Sequence, residues 1–133
     1  MTNPKPYDDI PGTIVFDAEQ SRKGYHLNQF CMSLMKAENR AEFLKNNRAY
    51  LDNWPMSEEQ KLAVIARDYN KMLSLGGNIY FLAKIFSAEG LSFQYAAALM
   101  TGVPEADYLK MMLSGGRRPE GNRYKSEWEN KNG

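Results

Sequence analysis

The sequence predicts an all-helical, single-domain protein, on three observations. Apolar residues recur at helical spacing through most of the chain, residues with capping chemistry precede those runs, and glycines close them. No hairpin dipeptide separates alternating apolar runs, and the one strand-like stretch, Thr13 to Phe16, is too short to build a sheet. The expected layout is an extended N-terminal arm over 1–12, a helical body over 13–116 and a mobile tail over 117–133.

Pro4, Pro6, Pro11 and Gly12 mark the arm, because proline withdraws backbone donors and fixes an extended φ. From Asp17, which caps with Gln20, a helix is expected to about Lys36, carrying Leu27, Phe30, Cys31, Leu34 and Met35, with Gly24 weakening its middle. A second is expected from Asn39, boxed by Glu42, through Phe43, Leu44, Tyr50 and Leu51 to the break at Pro55. A third, capped by Ser57 with Gln60, should run Leu62, Ile65, Tyr69, Met72 and Leu73 down one stripe to Gly76-Gly77. Asn78 caps a nearly all-apolar and therefore central segment ending near Gly90. Ser92 caps a short helix to Met100, and Pro104 suits the first position of a last helix through Tyr108, Met111 and Met112 to Gly115-Gly116.

Charge and composition exclude several functions. Net charge is +1 from 17 basic and 16 acidic residues, so nothing favours a phosphate backbone or an anionic bilayer, and neither nucleic acid nor membrane is an expected partner. No apolar run nears a membrane span and the start lacks signal-peptide character, which makes a cytoplasmic protein the expectation. His26 and Cys31 are the single residues of their kinds. A two-histidine, one-carboxylate metal site therefore lacks a ligand, thiolate clusters are impossible, and five positions along a helix separate His26 from Cys31 onto different faces. No catalytic and no metal-binding residue is expected in this chain. Glu58 and Glu59 read as charges complementing a helix N-terminus, and the Gly-Gly turns read as helix stops, with anion contact by Arg117 or Arg118 a lesser alternative. Methionine and aromatic content suits a core or a docking surface.

Longer strings carry more. Asp9-Ile10-Pro11-Gly12-Thr13, Gly24-Tyr25-His26-Leu27-Asn28-Gln29-Phe30 and Met32 through Arg40 resemble the alpha subunit of protocatechuate 4,5-dioxygenases. So do Ala66 through Asn70, Gly76 through Leu82, Ser92-Phe93-Gln94 and Met100-Thr101-Gly102, so the resemblance spans most of the chain between its two ends. It implies a helical subunit packed on a larger beta subunit, in an α2β2 assembly, with Fe(II) and its ligands held by that beta subunit. It further implies cleavage of protocatechuate between C4 and C5 to 4-carboxy-2-hydroxymuconate 6-semialdehyde, with Phe93 of the Ser-Phe-Gln motif closing over the aromatic acid. Gallate and 3-O-methylgallate dioxygenases have similar small subunits or fused domains. Ser92 and Gln94 would stand beside Phe93 near the substrate. Without the resemblance Phe93 reads as a helix-start core residue and Ser92 as a cap. A freestanding helical interaction module is the competing reading.

Overall fold

In a computed structural model, residues 5–8, 10 and 13–116 are described, and among them the architecture is helical throughout. The elements are α1 (Ala18–Lys23), α2 (Tyr25–Ser33), α3 (Ala37–Lys45), α4 (Asn47–Leu51), α5 (Glu58–Ala66), α6 (Tyr69–Ser74), α7 (Ile79–Ala88), α8 (Phe93–Thr101) and α9 (Glu105–Leu113). The 117–133 tail, with Arg117 and Arg118, lies outside the described residues, as does part of the 1–12 arm. The expected extended course of that arm is interrupted by a turn at Lys5–Asp8, where the Asp8 N–H donates to the Lys5 carbonyl at 3.0 Å.

α7 sits at the centre because its face of Leu82, Ile85 and Phe86 has almost no contact with solvent, and α2, α6 and α8 pack around it. Each such side chain contributes roughly 1.5–3 kcal/mol when buried. α2 supplies Leu27, Phe30, Cys31 and Leu34 to the same core. On its far side the Phe30 ring meets Phe43 at 5.2 Å and Tyr50 at 6.0 Å in tilted pairs, and the Tyr50 hydroxyl lies 2.7 Å from Ser33 Oγ.

Four caps fall where the sequence places them. Asp17, Ser57, Asn78 and Ser92 each accept a backbone N–H at the start of α1, α5, α7 and α8, and Ser57 with Gln60 forms the reciprocal box. The stops share one device. At Gly76, Gly90, Gly102 and Gly115 the chain turns left-handed, and the next residue's N–H reaches back five residues, as Leu91 does to the Phe86 carbonyl at 2.9 Å.

The helices are shorter than the periodicity predicts, and each correction has a physical cause. The expected 17–36 helix is divided at Gly24. The expected 57–75 helix breaks at Arg67, which adopts φ 55°, ψ 36° and makes the same closure, Asp68 N–H to the Ala63 carbonyl at 2.9 Å, without a glycine. The Arg67 guanidinium offsets that backbone cost. It donates to Glu89 at 2.7 Å, to the Val64 carbonyl at 2.7 Å and to Asn47 at 3.0 Å, and lies over the Phe43 ring.

Asn39 does not cap its own helix. α3 starts at Ala37, and Asn39 Nδ2 instead donates to the Ser33 carbonyl at 2.8 Å while Arg40 Nη1 donates to the Leu34 and Met35 carbonyls. The two side chains thus satisfy the carbonyls that α2 leaves open at its C-terminus. The expected 39–51 helix also breaks at Asn46, whose extended backbone lets it cap α4. α5 buries Gln60, Ala63 and Val64 rather than Leu62 and Ile65, which face outward. Gln60 fixes that rotation, donating through Nε2 to the Lys23 carbonyl at 3.1 Å and the Leu75 carbonyl at 3.0 Å. Met35 and Leu44 are likewise exposed, and Pro104 is the N-cap of α9 rather than its first residue.

Candidate functional site

Phe93 opens α8, directly after the Ser92 cap, whose Oγ accepts the Tyr95 N–H at 3.1 Å. That cap, together with the left-handed Gly90, fixes where α7 ends and α8 begins, and so fixes the first side chain of α8. Phe93 is 56% exposed, yet one edge of its ring is held against Phe86 at 5.0 Å and 80°. Phe86 is itself buried and packs edge-on to Tyr69 at 5.6 Å. The result is an aromatic anchored on a rigid stack with the larger part of its surface outward. Gln94 follows, half-buried.

This corrects one alternative for Phe93: it is not a buried core residue, because the helix start it occupies lies at the rim of the α7–α8 packing. Leu99, Val103, Leu109, Met112 and Leu113, on α8, α9 and the turn between them, are exposed as well. Among the described residues α9 has no buried residue and packs chiefly on α8, so these residues give its apolar side chains little cover.

The remaining sequence candidates are apart from this surface chemistry. His26 is exposed, with its ring edge-on to Tyr25 at 5.1 Å, whereas Cys31 is fully buried in the core. Burial pushes the Cys31 thiol well above its ordinary range, which keeps it protonated and unreactive. Among the described residues no group of three or more His, Cys, Asp or Glu gathers that could hold a metal ion. Glu58 pairs with Arg48, and this partner holds its carboxyl below the usual range.

Periodicity passes over two features of the framework. Asn28 lies on the apolar face of α2 among Leu27, Phe30 and Cys31, and a polar side chain in that setting demands partners. It has them: Nδ2 donates to the Gly76 carbonyl at 3.1 Å and Oδ1 accepts the Asn78 N–H at 3.0 Å. Asn28 therefore ties α2 to the start of α7, the helix that carries Phe86, against which the Phe93 ring rests. Arg67 is the other, and no residue type in the sequence announces its left-handed backbone.

The helical framework thus holds one aromatic, Phe93, outward on a buried one, while its single histidine and its single cysteine stand apart. Residues 27–113 match the family described as aromatic-ring-opening dioxygenase LigAB, LigA subunit, and the chain belongs to that family. It is also similar to a gallate dioxygenase of Pseudomonas putida, 28% identical over 103 residues that make up 77% of this chain and 30% of that protein. The chain thus spans about a third of the length of this curated relative.

Proposed function

We propose that the chain is the helical, non-ligating part of an extradiol dioxygenase that opens the ring of a catechol-bearing benzoic acid, protocatechuate or gallate. A larger ring-cleaving polypeptide completes it, a reading supported by the gallate dioxygenase relative, of which this chain matches only 30%. Fe(II), the metal that the two-histidine, one-carboxylate chemistry uses, is held by that polypeptide, since one histidine in 133 residues does not fit the ligand set. The observation that carries this reading is Phe93, exposed yet fixed against Phe86, inside the family-matched segment.

In the assembled enzyme this chain shapes and closes the site. Phe93 covers the aromatic acid, excludes bulk water and limits which ring substituents fit, while Ser92 and Gln94 stand beside it near the substrate. The Phe86 edge contact and the Ser92 cap keep the ring in place without cost at the moment of binding. The exposed apolar side chains of α8 and α9 meet the larger polypeptide.

The test is co-expression of the full chain with a LigAB-type large chain, followed by oxygen uptake on protocatechuate and gallate. Phe93→Ala should change KM or the rate ratio of the two substrates by roughly 10–100-fold, the range that pocket contacts command, with iron content and assembly unchanged. Phe93→Leu should recover part of the loss. Wild-type kinetics on both acids in Phe93→Ala would remove the closing role.

A further inference from the structure

A second surface, with Phe93 not among its lining residues, is formed by Leu34, Met35, Arg40, Tyr80, Lys84 and Ser87, together with Ala83 and Ala88, and encloses about 430 Å³ between the end of α2 and the outer face of α7. Its apolar lining is Leu34, Met35, Ala83 and Ala88, and its polar groups are cationic or neutral. Among the described residues no carboxylate lines it. Arg40 spends Nη1 on the Leu34 and Met35 carbonyls at 2.9 and 3.0 Å, which fixes the guanidinium but leaves Nε and Nη2 without a partner among the described residues. Lys84, half-buried, has no ion-pair partner among them either. Two positioned cations beside an apolar lining, with no anion of their own, are electrostatically incomplete.

We propose that this groove docks a carboxylate-bearing segment of the ring-cleaving polypeptide, an inference that rests on the function proposed above. Charge complementarity selects an acidic partner. The openness of the groove selects a protein rather than a small acid. Tyr80 is 77% exposed and Met35 60% exposed at the rim, whereas small ligands are held in clefts that bury most of their surface. Tyrosine, methionine and arginine are also the side chains enriched where proteins dock. Arg40 is already fixed and Lys84 already half-buried, so little side-chain freedom is lost on pairing. All eight lining residues fall within the family-matched segment.

The experiment uses the full chain assembled with the LigAB-type large chain. Zero-length carbodiimide cross-linking and mass spectrometry should join Lys84 to an Asp or Glu of the large chain. Lys84→Glu should weaken assembly at least about tenfold in low salt, with a melting temperature within about 3 °C of wild type because Lys84 makes no hydrogen bond or ion pair among the described residues, and the difference should shrink as salt screens it. Tyr80→Ala, another change that leaves the core untouched, should weaken assembly independently of salt. If the wild-type chain assembles and both variants assemble within about twofold of it, the groove is not a docking surface and the proposed function stands. If the wild-type chain does not assemble, the proposed function falls and the groove assignment with it. Saturable binding of protocatechuate to this chain alone, abolished in Lys84→Glu, would overturn the assignment in favour of a small-acid site.

Discussion

Gly24 and Gly76 meet backbone to backbone: a Cβ built on Gly24 would stand 1.8 Å from the Gly76 carbonyl oxygen, and one on Gly76 would stand 2.4 Å from the Gly24 nitrogen. The α1–α2 junction therefore rests directly on the α6–α7 junction. Gly24 has φ −99°, which any residue adopts, so closeness and not backbone freedom requires glycine there. Gly76, at φ +96°, is required on both grounds.

Gly24→Ala should force these junctions apart, because the obstructing atoms are backbone and have no rotamer to escape into. A loss of about 3 kcal/mol is expected, at the upper end for overpacking, with a melting temperature lower by about 10 °C. Thermal unfolding followed by circular dichroism checks it, and a shift below about 2 °C would show that the contact is softer than its distances imply.

Asn28 bridges the same contact, and Asn28→Ala would leave the Gly76 carbonyl and the Asn78 N–H short of a partner in a buried setting. The expected loss is about 2–3 kcal/mol in urea unfolding. Asn28→Asp keeps the acceptor for Asn78 but loses the donor to Gly76 and adds a buried charge, so it should not rescue. A double variant with Gly24→Ala should be less damaging than the sum, since both act on one junction.

Acid should weaken the N-terminal end of the fold. Asp17 accepts from Lys5 Nζ at 2.5 Å, the Tyr7 hydroxyl at 2.6 Å and the Gln20 N–H at 2.9 Å, and the Lys5 ammonium foremost holds its carboxyl well below the usual range. Asp52 and Glu58 are lowered as well, chiefly by Lys61 and Arg48 respectively. A carboxyl depressed by folding contributes stability that is present above its unfolded value of about 4 and is lost as pH falls toward the folded one. Urea midpoints should therefore decline from about pH 5 downward, less steeply in high salt because Asp52 and Glu58 are exposed and Asp17 is only partly covered. Asp17→Asn should flatten part of that slope. An acid limb identical in Asp17→Asn and wild type would deny Asp17 this role.

Much of the fold is legible in the sequence because it is set by local chemistry. The Asp17, Ser57, Asn78 and Ser92 caps and the Gly76, Gly90 and Gly115 stops depend on a few neighbouring residues, and each is found in place. The breaks at Arg67 and Asn46, and the rotation that turns Leu62 and Ile65 outward, are not legible, because distant groups decide them. Glu89 and Asn47 hold Arg67, and the Lys23 and Leu75 carbonyls hold Gln60.

The site divides the same way. By itself the sequence determined an all-helical chain, a single histidine and cysteine unable to form the iron ligand set, and a helix beginning at Phe93. Only the tertiary structure decided that Phe93 faces outward while leaning on Phe86, and that Arg40 and Lys84 share a groove without an anion. The reason is physical. Helical periodicity records which side chains are apolar, whereas exposure depends on which helices meet, and that is set at contacts such as Gly24 against Gly76, 52 positions apart in the chain.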